Sequence, residues 1–223
     1  MQFSDAFKRA VVDFFYLTNR EYPSKGFLTM VSNRYNLNST ERTMLYRGIA
    51  STKLNIQRSE KLISFEETID KDLFIDGFNI LFTIRSYLVG KPLFISTDSI
   101  LRDASVLKSK LIFDKTTTDA IVLLQQYLTT FIGSINIYLD QKVSFHQAVI
   151  DNIQLASNPP TKQLINFLVS NSVDKDLASI ENGVVVTSDS EIIDGTECRV
   201  FDLPHHLLKE KFRPEFIDLT KFR

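Results

Sequence analysis

Between residues 3 and 17, apolar side chains recur at steps of three and four: Phe3, Phe7, Ala10, Val11, Phe14 and Leu17. That spacing predicts an amphipathic helix ended by Pro23 or just before it. A second helix from Ser24 places Phe27, Val31 and Tyr35 on one face. Asn38-Ser39-Thr40-Glu41 has the spacing of a capping box, which starts a third helix running to about Ala50. Residues 51–70 are polar and charged and read as a linker or a solvated helix.

From residue 71 the pattern changes. Short apolar runs at Leu73–Ile75, Ile135–Leu139, Leu164–Val169 and Gly183–Thr187 predict strands, with Val200-Phe201 as a fifth and Leu93–Ile95 as an edge strand. Between them lie helical patterns: Ile80, Leu81, Ile84 and Leu88; Ile121, Leu124, Leu128 and Phe131, capped by Asp119; and a stretch over 145–155 broken by Pro159-Pro160. Strands alternating with helices of this length imply βαβ units. The expected fold is therefore α/β, a mostly parallel sheet sandwiched by helices in three layers, preceded by a small helical module. The boundaries are 1–61 for the helices, 71–203 for the α/β domain and 204–223 for a tail that is an amphipathic helix or a docking strand.

Length and composition narrow the classes. A chain of 223 residues with 43% apolar and 24% charged residues suits a packed core and excludes disorder or fibre. One cysteine excludes a disulfide framework and a thiolate zinc site. No apolar run approaches the roughly 20 residues of a membrane span. Asp5, Lys8 and Arg9 stand where a signal peptide needs its apolar stretch, so the expected location is cytoplasmic.

The net charge of −1 conceals a division. Residues 1–61 carry ten Lys and Arg against five Asp and Glu, whereas the rest of the chain carries 16 against 22. The first 61 residues also hold six of the eleven arginines and four of the seven tyrosines. Arg34, Arg42, Arg47, Tyr35 and Tyr46 are thus candidates to hold a nucleic acid through phosphate contacts and stacking. The alternatives are a charge split without function, or a helix-turn-helix regulator built on these helices.

The chemistry-bearing pattern lies in the second part. Asp76, Asp140 and Asp189 each stand at or just past the carboxyl end of a predicted strand. In a parallel sheet those ends share one edge, where ligands bind. Carboxylates gathered there repel and call for protons or a cation, and oxygen-only ligands suit Mg²⁺ or Mn²⁺. Asp103 is a fourth candidate, and Arg102 beside it carries the planar fork suited to phosphate. Each aspartate alone reads equally as a helix cap or turn former. Neither a P-loop nor a dinucleotide fingerprint nor a nucleophile elbow is present.

Asp76-Gly77-Phe78-Asn79, then Asp140, then Thr187-Ser188-Asp189-Ser190, resembles the NYN/PIN-like superfamily of metal-dependent ribonucleases. A closer likeness is to an archaeal and bacterial domain-of-unknown-function family, family 434. It extends over roughly residues 20–203 and includes Tyr22-Pro23, Val31–Leu37, Leu45–Gly48, Asp76–Leu81, Arg102-Asp103, Leu139-Asp140 with Ser144, and Val186–Ser190. The resemblance implies an acidic cluster of Asp76, Asp103, Asp140 and Asp189, with Asn79 and Ser188 orienting it and Arg102 stabilising phosphoryl charge. Asp76, Asp140 and Asp189 would hold Mg²⁺ or Mn²⁺, and RNA would be the substrate. One departure stands out: where the family has a second serine soon after Ser144, this chain has Phe145-His146. The alternative is a non-catalytic module of the same fold that binds RNA, a protein partner or another copy of itself.

Overall fold

Ser4, Asn38, Asp76, Asp114, Asp189 and Asp202 each accept a backbone N–H in the first turn of a helix. Short polar side chains thus mark where helices begin in the computed structural model, which describes residues 4–105, 113–156 and 164–222. The chain forms α1 (Asp5–Asn19), α2 (Ser24–Arg34), α3 (Ser39–Gly48), α4 (Thr52–Lys61), β1 (Leu73–Asp76), α5 (Gly77–Leu88), β2 (Leu93–Ile95) and β3 (Leu101–Asp103). It continues through α6 (Lys115–Leu128), β4 (Ile135–Asp140), α7 (His146–Ala156), β5 (Ile165–Ser170), α8 (Val173–Ala178) and β6 (Val184–Val186). It ends with α9 (Ser190–Gly195), β7 (Arg199–Val200), α10 (Leu203–Phe212), β8 (Ile217–Asp218) and a 3-10 turn, Leu219–Phe222.

Two compact units result. The first comprises Met1–Glu60, Gly90–Lys110 and Pro214–Arg223. Its helices do not stand alone as the 1–61 boundary implied. Phe7, Phe14, Phe27, Val31 and Leu45 share a core with Phe94 of β2 and Leu219 of the final turn. The physical reason is burial: short amphipathic helices need a further apolar surface, and the small sheet β3-β2-β8 supplies it. Gly48 ends α3 directly against that sheet, where a Cβ would clash with the Phe94 ring.

A buried charge sits in the turn between β2 and β3. Asp98 is fully buried, and the Arg102 guanidinium donates to both its carboxylate oxygens, at 2.7 and 2.8 Å. Arg58 of α4 donates to Oδ2 at 2.9 Å. Burial opposes ionisation, but the two guanidiniums and the Ser96 hydroxyl outweigh it and hold this carboxyl well below the usual range. So α4, whose polarity suggested a linker or a solvated helix, is docked by polar contacts. Asn55 reinforces this, accepting from Thr97 Oγ1 at 2.9 Å and donating to the Ala50 carbonyl at 3.1 Å.

The second unit comprises Lys61–Val89 and Leu111–Arg213. Its five-stranded sheet has the order β5-β4-β1-β6-β7, and every pairing is parallel. The expected α/β class with a mostly parallel sheet between helices is what the chain adopts. Val173 and Leu177 of α8 and Ile192 of α9 pack with Tyr138 and Val185 on one face, while α5, α6, α7 and α10 pack together. The order runs outward from β1 to β4 and β5, then reverses to β6 and β7. The switch lies between β1 and β6, the place where open α/β sheets bind ligands.

Three details differ from the pattern read in the sequence. Helix α6 starts at an Asp114 cap rather than at Asp119, because Asp114 accepts from Thr117 N at 2.9 Å and pairs with Arg85 at 2.7 Å. The tail is both a helix and a strand, α10 in the second unit and β8 in the first. Pro159-Pro160, expected to break α7, lie outside the described residues. Among the described residues no helix is long and apolar enough to cross a membrane.

Removing the charge of Asp98 would leave Arg58 and Arg102 buried without their partner. We expect Asp98→Ala to cost about 3–5 kcal/mol, read as a lower midpoint in chemical denaturation. An unchanged midpoint would show that this carboxylate does not hold the turn.

Candidate functional site

Asp76 closes β1 and caps α5, accepting from Asn79 N at 3.4 Å. The next residue must be small. A Cβ on Gly77 would lie 2.7 Å from the Leu139 side chain and 2.9 Å from the Tyr138 carbonyl oxygen of the neighbouring strand. Asp-Gly is therefore the sequence of a helix start pressed onto β4. Across the switch point, the Thr187 hydroxyl donates to Asp76 Oδ2 at 3.0 Å. The same hydroxyl oxygen accepts from Asp189 N at 3.1 Å. Ser188 donates through its backbone N–H at 3.0 Å and its hydroxyl at 2.8 Å to Asn79 Oδ1. Asn79 and Ser188, expected to orient the carboxylates, thus bind each other and lock the β1–α5 turn to the β6–α9 turn.

The site is electrostatically unfavourable as it stands. Burial first, and the Asp189 and Asp174 carboxylates next, push the Asp76 carboxyl up to about 7, against the pull of Thr187 and the Asn79 N–H. Asp174, in the first turn of α8, is also raised, by desolvation and then by Asp189 and Asp140, with Lys142 opposing. Asp140 ends β4 and accepts from Lys142 N at 2.8 Å. Among the described residues no Lys or Arg forms an ion pair with Asp76, Asp140, Asp174 or Asp189. Nor do any three His, Cys, Asp or Glu side chains among them form a ready-made metal cage.

The carboxyl edge therefore carries Asp76, Asp140 and Asp189, with Asp174 as a fourth. Asp174 escapes a search for aspartates at strand ends because Asn171 and Ser172 carry the chain onward before α8 begins. Asp103 and Arg102 have other places. Both belong to β3 of the first unit, the Asp103 carboxylate accepts from Ser105 N at 2.7 Å, and Arg102 is buried against Asp98. A buried, bidentately paired guanidinium does not present a fork to phosphate, so the role expected of Arg102 is corrected.

The residues expected to hold nucleic acid divide similarly. Arg42 donates to the Leu37 carbonyl and Asn33 Oδ1, Arg47 to the Asp103 carbonyl, and the Tyr35 hydroxyl to Asp13 at 2.7 Å. These three stitch the helical unit together. Arg34 and Tyr46 remain exposed, with Arg34 lying over the Tyr35 ring.

Residues 65–206 match the family model described as Domain of unknown function (DUF5616). Residues 6–61 match the one described as Protein of unknown function (DUF434). The likeness to family 434 thus covers the leading helices, and the acidic motifs lie in the span of the other family. The chain is also 31% identical over 186 residues to an uncharacterized protein of Methanocaldococcus jannaschii, covering 83% of this chain and 88% of that one. No solved structure matches the chain.

An acid whose carboxyl is raised by folding binds a proton in the folded state that the unfolded chain has released. Between about pH 4 and 7 the ionised cost of Asp76 therefore grows, and stability falls as pH rises. Asp76→Asn removes that titration. Its stability relative to wild type should rise by up to about 1.4 kcal/mol per pH unit across this window and level off above it, measured by urea denaturation at stepped pH. A pH-independent difference would contradict the raised carboxyl.

Proposed function

The chain belongs to the family described as Domain of unknown function (DUF5616), and we propose that the carboxyl edge of its sheet is a divalent-cation-dependent phosphodiesterase site acting on RNA. The observation that carries this reading is Asp76: a buried carboxyl pushed up to about 7 at the switch point, with Asp189 and Asp174 adding to its charge cost. A hard divalent cation removes that cost, and oxygen-only donors suit Mg²⁺ or Mn²⁺. Such ions are commonly held by one or two carboxylates, with water and substrate phosphate completing the shell.

In this reading Asp76 and Asp189 hold the ion, and Asp140 and Asp174 complete the negative field around it. When bound, the ion polarises a phosphoryl oxygen and makes bound water a stronger nucleophile. Thr187 fixes the orientation of Asp76 through its hydroxyl, and Asn79, held by Ser188, fixes the α5 turn that carries Asp76. Losing a partner of this kind typically costs about 10–100-fold in metal affinity or activity.

A second reading has its own observation. Asp76, Asp140 and Asp189 each accept a backbone N–H of their own turn, which is what caps and turns do without chemistry. That reading makes the unit a non-catalytic module that binds RNA.

The test is hydrolysis of an end-labelled, mixed-sequence RNA pool in Mn²⁺. Wild type should cleave it, Asp76→Asn should lose at least about 100-fold, and Asn79→Ala about 10–100-fold. Cleavage by Asp76→Asn at the wild-type rate would overturn the assignment, and no cleavage by wild type would favour the non-catalytic module.

A further inference from the structure

The five-stranded sheet ends differently on its two sides. On one side β7 is two residues long, and the chain ahead of the sheet closes it off: Leu62 bridges Val200, and Ile63 N donates to the Val200 carbonyl at 3.0 Å. On the other side β5 runs for six residues, Ile165–Ser170, and among the described residues it pairs with β4 alone. Natural sheets blunt an edge of this length with lysine, proline, a bulge or a covering segment. From Leu164 to Val173 no residue is charged and none is proline. Leu164, Leu168 and Val169 are 65%, 37% and 43% exposed. Because 168 and 169 are neighbours in a strand, the exposed apolar surface lies on both faces of the sheet.

The main chain shows which groups this edge presents. The Leu164 carbonyl accepts from Ile135 N at 3.0 Å, and the Ser170 carbonyl accepts from Gln141 N at 2.9 Å. The even-numbered residues of β5 therefore turn their main-chain groups to β4, and Ile165, Phe167 and Val169 turn theirs outward.

We infer that β5 pairs antiparallel with β5 of a second copy of this chain, about a two-fold axis through Phe167. A partner of either charge finds nothing to complement along this strand, whereas an identical strand meets it without like-charge repulsion. The strand also reads alike in both directions. Ile165 and Val169, both β-branched, stand equally far from Phe167. The axis sets Ile165 against the partner's Val169, and Phe167 against the partner's Phe167. All three outward residues then fall in the hydrogen-bonded phase of an antiparallel ladder, so their N–H and C=O groups all find partners. Such closure consumes the long edge of both copies and leaves only the protected β7 at either end of a ten-stranded sheet. Antiparallel pairing turns the two acidic carboxyl edges in opposite directions, so the inference stands apart from the phosphodiesterase reading.

Sedimentation equilibrium of the full chain across the micromolar range should give twice the mass of one chain. Val169→Lys puts a charge into an apolar cross-strand pair twice per dimer and should weaken association at least about tenfold. Val169→Thr keeps the branching without charge and should associate within about twofold of wild type. Amide hydrogen exchange on wild type locates the contact without any substitution: exchange at Ile165, Phe167 and Val169 should be slow in the dimer and accelerate on dilution. A monomer throughout, a Val169→Lys variant that associates as tightly as wild type, or exchange at these three amides that ignores concentration would overturn the inference.

Discussion

Asp76 is buried where β1 ends, and the Thr187 hydroxyl reaches it from the end of β6 at 3.0 Å. Everything distinctive about the sheet's carboxyl edge follows from that contact. It joins the two strands between which the order of the sheet reverses. It orients a carboxyl that burial, with the nearby carboxylates, pushes up to about 7 against the pull of this very hydrogen bond. It also places Asp189 so that its backbone N–H donates to the same hydroxyl, bringing a second carboxylate close enough to raise the first. A fold stabilised for its own sake has no reason to gather such charges. Their cost falls when a cation arrives, which is the physical basis for reading the edge as a binding site.

The first unit handles buried charge in the opposite way. Asp98 is even less exposed than Asp76, yet two guanidiniums hold it ionised. Burying a carboxylate with its counterions gives a fixed joint, whereas burying one against other carboxylates leaves a demand unmet. The contrast separates a structural acid from the acid proposed as functional within one chain. It also explains why Arg102, next to an aspartate in the sequence, serves the joint and not the edge.

Much of this was legible in the sequence, and the omissions have physical causes. The α/β class, the parallel sheet and the positions of Asp76, Asp140 and Asp189 follow from apolar runs that end in aspartate. Asp174 was hidden because Asn171 and Ser172 lengthen the connection to α8. Helix α4 looked solvated because polarity reads as exposure; Asn55 and Arg58 are polar because they bind Thr97 and Asp98. The boundary at 61 did not anticipate that Phe94 and Leu219 would complete the helical core, since a contact between residues so distant along the chain leaves no local pattern.

The central claim is that the carboxylates around Asp76 form a shared cation site. Calorimetric titration of Mn²⁺ into wild type and into an Asp76→Asn/Asp189→Asn variant near pH 7.5, with a short RNA-like phosphodiester present to complete the shell, tests it without reliance on turnover. The account predicts saturable binding in wild type that disappears in the variant. Binding that survives both substitutions, or is absent from wild type under these conditions, would contradict it.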